Sequence, residues 1–418
     1  MIATVKKNRC YLPPSLLEEN PLLLLLPQTL SMPMASRDSI WPAPRTIHDE
    51  DRQRIMELGL LCNVPMALTA AIRLDVFQII ASAGCDAMLS AAEIVARIPG
   101  CQSPALGGIV LNRILRVLAS RGIFREDVER DDPAPAAIRR YGLTNLCRFL
   151  LKDDRGASLA PWISLNHDEI LMRPWQFLAD AVLSGGQTSP FSLAHGGEHF
   201  FQLASRSDRL DRLFTSAMCD HSMIFLPAIL DEYRGFASAG TIVDVGGGVG
   251  VALRDILAAH PSIQHAINFD LPHVIARAPE LAGVKHVAGD MFDEIPQGDT
   301  FLIKLVLHDW SDDDCLKILG NCHKSLASHG KLVIVDAVLP SGVEYDLGSR
   351  HVLAMDLLML SCCPGGKERS LQDLEALAKA AGFTPPRVVL TVDYLSVIEL
   401  HKQEKKSHHP KRQTCTPA

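Results

Sequence analysis

The sequence has no C-x-x-C pair, although it holds eleven cysteines. That excludes a paired-thiol zinc site, and an odd count closes no disulfide frame. Reduced thiols in a cytoplasmic protein are the expectation. No apolar run approaches the ~20 residues of a membrane span. The pentaleucine Leu22–Leu26 is bounded by Pro21 and Pro27. Basic charge is not in excess. At a net charge of −7, neither nucleic acid nor an anionic membrane is an expected partner. There is no internal repeat, and no signal-peptide core with a cleavage site. Apolar side chain is what the chain has in quantity. It makes up 47% of 418 residues, enough for about two or three cored domains.

Residues 1–48 are rich in Pro, Ser and Leu without periodicity and read as a disordered extension. Glu18 and Glu19 argue against a transit peptide. The basic tail, 403–418, reads the same way. Residues 49–155 read as a mainly helical domain. From Asp51 to Gly84 there is more apolar side chain than one helix face can use, so burial all round or against a second copy is expected. A short helix, Ser90–Arg97, precedes a longer one, Leu106–Arg121. Two strand-like pieces follow, 122–125 and 140–144. Helix, helix and a two-stranded wing resemble a winged helix. A recognition helix needs a polar, base-reaching face. The longer helix has only Arg113 and Arg116 in its interior, so the module is read as dimerising. Residues 156–235 form a helical linker and pocket segment. Met172 and Trp175 lie there as candidates to cover a flat aromatic ligand.

The stretch Thr241–Gly250, TIVDVGGGVG, organises the remainder, 236–402. A short apolar run, a glycine loop and a helix-like segment to His260 open a doubly wound α/β domain. Dinucleotide sites use G-x-G-x-x-G/A, whose last small residue permits close helix packing. Counting from Gly246 and Gly248, that position is Val251, which is too bulky. No Lys-Ser/Thr ends the loop, so it is not a phosphate-binding P-loop. Twenty residues past Gly250 a second apolar run ends at Asp270, an acid suited to ribose hydroxyls. Ribose binding without a phosphate cradle points to an adenosyl cofactor, most simply S-adenosylmethionine.

Further apolar runs end in polar groups. His286–Gly289 leads to Asp290 and Met291. Phe301–Leu307, which contains Lys304, leads to His308-Asp309-Trp310. Lys331–Val335 leads to Asp336. Polar groups recurring at this edge mark where open α/β sheets bind ligands.

VDVGGGVG, NFDLPHVI, GDMF, LHDWSDDDCLKIL, VLP and PGGKERS, in this order, resemble plant O-methyltransferases of the caffeic acid and flavonoid type. The resemblance runs from about residue 50 to His401. It implies a dimerising front domain and a Rossmann-like domain that binds S-adenosylmethionine. It also implies cofactor contacts from Gly246, Asp270, Asp290, Met291 and Lys304. His308 is then the base, and Glu368 is one acid that orients it. The second acid is usually Glu, where this chain has Asp336, one methylene shorter. Met355, Met359, Cys362 and Cys363 fall on the substrate-lining segment. Cys363 stands where an amide often precedes PGGKE, so the acceptor cannot be copied from the best-known members.

The residue chemistry points the same way. A phenol of pKa about 10 is a poor nucleophile at neutral pH. A histidine can take its proton during attack on the methyl group, and a carboxylate on the far ring nitrogen fixes the tautomer. No metal is expected. Two other readings are a nicotinamide oxidoreductase, disfavoured by Val251, and an inactive or regulatory binding homologue, disfavoured by His308 and Glu368.

Overall fold

The apolar stretch beginning at Glu50 folds as three short helices: Glu50–Leu60, Asn63–Arg73 and Val76–Ala81. Pro65 sits in the first turn of the second, where its missing N–H costs little. Asp75, at φ 56, turns the chain before the third. The computed structural model describes residues 50–129, 138–342 and 346–403. The expected disorder of 1–48, and of the tail from 404, lies outside the described residues. Gln403, placed in that tail by the sequence, is still anchored. Its Nε2 donates to the Phe383 carbonyl at 2.8 Å.

The chain divides into two units, 1–61 and 62–418. In the first, the helix Glu50–Leu60 buries none of its residues. Ile55, Met56, Leu58 and Leu60 are all exposed.

The second unit begins with helices Asn63–Arg73, Val76–Ala81, Ala91–Val95 and Pro104–Ala119 around a small antiparallel sheet. Its strands are β1 (Leu89–Ser90), β2 (Phe124–Glu129) and β3 (Ile138–Leu143), in the order β1-β3-β2. β1 was not expected, because two residues carry no readable alternation. Ser90 then caps the next helix in a reciprocal box with Glu93. Ile80, Leu111, Leu115, Leu118, Phe124 and Tyr141 fill the core. The opposite face of Pro104–Ala119 leaves Leu106, Ile109 and Val110 exposed.

A series of helices leads to the long helix Asp208–Glu232. It is long and apolar enough to cross a bilayer, but Leu210, Ala217, Leu226 and Ile229 bury it in the fold.

The remaining strands among the described residues form one sheet of seven. They are β4 (Thr241–Val245), β5 (His265–Asp270), β6 (Val284–Ala288), β7 (Gly298–Lys304), β8 (Leu326–Ala337), β9 (Arg387–Val392) and β10 (Leu395–His401), in the order β6-β5-β4-β7-β8-β10-β9. The first five pair in parallel, and β10 runs antiparallel to both β8 and β9. The runs Ile242-Val243 and Phe301-Leu302-Ile303 are fully buried, as strands covered on both faces must be. Order reverses at β4, flanked by β5 and β7, and that reversal opens a crevice at the strands' carboxyl ends.

Candidate active site

The crevice holds a cavity of about 310 Å³. Gly246, Asp270, Asp290, Met291 and Lys304 all line it. Gly246 has φ +72, and a Cβ there would lie 2.9 Å from Val306 Cγ2, so no other residue fits without displacement. Asp270 Oδ2 accepts the Gly248 N–H at 2.7 Å, and its Oδ1 accepts that of Leu271 at 2.7 Å. Asp290 Oδ1 accepts the Phe292 N–H at 2.9 Å. Burial raises Asp270 despite those N–H groups.

Lys304 ends β7 and is held below its ordinary value by burial, partly offset by Asp244 and Asp336. Burial in turn pushes Asp244 up to about 7. Asp244 Oδ2 and Asn268 Oδ1 are buried with no partner among the described residues. These groups fit an adenosyl cofactor. Asp270 keeps spare lone pairs at the cavity wall, and uncommitted polar atoms lie beneath the glycine loop. Aromatic rings supply the apolar side. Trp310 stacks with Phe201 at 6.0 Å and meets Phe292 edge-on at 4.7 Å. All three rings line the cavity.

His308 is not at a strand end, as its run of apolar neighbours suggested. β7 stops at Lys304, and Leu305 takes φ 52. His308 then sits in a 3-10 turn, Leu307–Asp309. Ser311 ends the turn by capping the helix Asp312–Ser325, whose first turn carries three acids.

Glu368 Oε1 lies 2.9 Å from His308 Nδ1, and Asp336 Oδ1 lies 3.6 Å from the same atom. Asp309 Oδ1 lies 3.8 Å from Nε2. Burial opposes a charge on His308, but Asp336, Asp309 and Glu368 together outweigh it and raise the imidazole to about 10. Burial pushes Asp336 up to about 7, against the pull of His308. The segment after Cys363 packs closely here. A Cβ on Gly366 would stand 2.8 Å from the His308 carbonyl oxygen. His308, Asp336 and Glu368 offer ligand atoms within 4.8 Å of one another, near enough for a cation.

His308 is buried and does not line the cavity, whereas Asp309 and Trp310 do. Met172 and Trp175 stay half-buried away from its walls. Met355, Met359, Cys362 and Cys363 are packed with Phe191, Phe200 and Leu210 in a buried cluster. Cys363 approaches the site by donating its thiol to Asp309 at 3.4 Å. The cavity's aromatic walls come instead from Phe201, Phe214, Phe269, Phe292 and Trp310. Of these, Phe269, Phe292 and Trp310 fell within motifs, and Phe201 and Phe214 carried no signal.

A glycine cradle at the switch point of such a sheet, with an acid on β5, defines a class that binds an adenosyl cofactor. An O-methyltransferase domain model matches residues 175–384, and an O-methyltransferase dimerisation domain model matches residues 56–153. The chain is 43% identical over 350 residues to a desmethyl-yatein O-methyltransferase of Sinopodophyllum hexandrum, covering 84% of this chain and 97% of that one. It is 42% identical over 360 residues to a caffeic acid 3-O-methyltransferase of Eucalyptus gunnii, covering 86% and 96%. A methyltransferase of calicheamicin biosynthesis in its SAH-bound form superposes with TM-score 0.70 at 26% identity, over 85% and 98% of the chains. A neocarzinostatin O-methyltransferase with S-adenosylmethionine and 2-hydroxy-5-methyl naphthoic acid gives TM-score 0.60 at 29% identity, over 82% and 96%. The chain belongs to the S-adenosylmethionine-dependent O-methyltransferase family, and its front segment is that family's dimerisation domain.

Proposed function

We propose that this chain methylates a phenolic hydroxyl of a small aromatic acceptor, of phenylpropanoid or flavonoid type, with His308 as general base. The observation that carries the reading is the 2.9 Å contact of Glu368 with His308 Nδ1, which leaves Nε2 as the ring nitrogen able to take a proton, next to Asp309 and Trp310 of the cavity wall. The relatives named for caffeic acid and desmethyl-yatein supply the acceptor class. When bound, S-adenosylmethionine supplies a methyl group already activated on a sulfonium. The protein's work is to align oxygen, carbon and sulfur. Asp270 holds ribose hydroxyls, Gly246 admits the close approach, and Asp290, Met291 and Lys304 complete the contacts. Neutral His308 accepts the phenol's proton at Nε2 as the oxygen attacks. Glu368 and Asp336 stabilise the imidazolium that forms. Phe201, Phe214 and Trp310 wall the cavity on the acceptor's side, and Met355, Met359 and Cys363 back that wall from the buried cluster on which Phe201 and Phe214 pack, while Met172 and Trp175 stand further off. The enzyme works as a cytoplasmic homodimer, in keeping with described cysteines that are all free.

The test is transfer of a labelled methyl group to a panel of phenols, with and without EDTA. Transfer that survives the chelator is the expected result. Cofactor binding without turnover on any phenol would overturn the reading in favour of a non-catalytic homologue.

A further inference from the structure

We propose that Arg369 is a positioning residue for the methyl-transfer reaction, holding His308 through the backbone of the turn that carries it. The proposal rests on the reading of His308 as base. Arg369 is 3% exposed, and a buried guanidinium must place its donors on good acceptors. Nη1 donates to the Leu307 carbonyl at 2.6 Å, and Nη2 to the Trp310 carbonyl at 2.7 Å. Nε donates to Asp312 Oδ1 at 3.0 Å. One side chain therefore grips the chain on both sides of His308.

Its neighbours complete the hold. The Lys367 N–H donates to the His308 carbonyl at 2.9 Å, and Glu368 takes the imidazole. The turn needs such support, because three residues of 3-10 geometry behind a left-handed Leu305 make a poor helix. Arg369 is itself anchored: its carbonyl accepts the Leu339 N–H at 2.9 Å, just beyond β8. β8 also carries Asp336. Arg369 thus sets His308 against both acids at once. Only a planar fork of donors spans two carbonyls and a carboxylate together, which lysine cannot do.

Two variants test this, Arg369→Lys and His308→Ala, with kcat, KM, cofactor affinity, melting temperature and the pH profile measured for each. A displacement on the order of 1 Å at a reacting group costs about 100-fold. Arg369→Lys is expected to lower kcat by about 10–100-fold while S-adenosylmethionine affinity stays within about twofold. The groups facing His308 are Asp336 on β8, Glu368 beside Arg369, Asp309 on its own turn, and His221 on the long helix. Loosening the three carboxylates lets His308 fall back toward its ordinary value. The rising limb of the kcat/KM profile should therefore move down by about one pH unit.

A lower melting temperature with kcat and the limb unchanged would reduce Arg369 to a purely structural role and overturn the proposal. Full activity in His308→Ala would instead remove the base reading on which it stands. Should Arg369→Lys fail to fold, Asp312→Asn loosens the same guanidinium from outside the turn. It should then give a smaller drop in kcat with the same direction of limb movement, and no drop would count against the clamp.

Discussion

Asp336 directs Oδ1 at His308 Nδ1 from 3.6 Å, too far for a hydrogen bond, while Glu368 reaches the same nitrogen at 2.9 Å. The two acids therefore do different work. Glu368 is the tether, and Asp336 acts as a charge. Glu368→Gln is expected to reduce kcat by about 10–100-fold, as losses of an orienting partner do. Asp336→Asn should cost less in turnover. Asp336→Glu, one methylene longer, should close the gap and raise kcat. Single-turnover rates compare the three, and wild-type rates in Glu368→Gln would remove it as the tether.

The pH dependence follows from the surrounding carboxylates. They hold His308 up at about 10 from an ordinary 6.5, so the free base is scarce at neutrality. kcat/KM should climb as pH rises into the alkaline range, and Asp336→Asn should shift that climb to lower pH. Stability runs the other way. A histidine raised on folding stabilises fully below 6.5, and that contribution is lost as pH rises through about 10. Melting temperatures taken across pH 7 to 10 should fall more in the wild type than in His308→Ala. Parallel declines would sink this assignment.

Asp270 is predicted to hold ribose hydroxyls while its two oxygens also pin the Gly248 and Leu271 N–H groups. Charge-assisted hydrogen bonds are worth roughly 1.5–3 kcal/mol. Asp270→Ala should weaken S-adenosylmethionine by about tenfold or more. Calorimetry reads this directly, and unchanged affinity would take Asp270 out of the site.

Assembly should depend on side chains that the single chain leaves in water. The helix Pro104–Ala119 exposes Ile109 at 63% and Leu106 at 64%, beside a well-filled core on its other face. Ile109→Glu is expected to give monomers at micromolar concentration by light scattering, with the fold retained. A wild-type protein that is itself monomeric and fully active would refute the homodimer.

The sequence made the cofactor half readable because its parts are local. TIVDVGGGVG is contiguous, and Asp270 and Asp290 each sit at or just past the end of an apolar run, where strand period fixes their place, whereas Lys304 lay inside its run and was legible only by resemblance. The base half was readable only by resemblance. His308 and Glu368 stand sixty residues apart, and no periodicity links them. Arg369 was invisible for the same reason, since its partners are main-chain carbonyls that carry no residue signature. Leu305 concealed the turn: Phe301–Leu307 reads as one strand, yet a left-handed residue breaks it after Lys304. The cavity's Phe201 and Phe214 lie on helices whose apolar residues look alike whether they face a ligand or a core.

β10 lies between β8 and β9, although it is the last strand among the described residues. The sheet is therefore completed from the inside by residues that follow every other described strand in sequence. Until Leu395–His401 slots in, β8 has an open edge, and β8 is the strand that carries Asp336. The strand that carries Asp336 is thus completed by the last residues of the fold, Leu395–His401, and the active site leans on the far end of the chain as much as on its glycine loop.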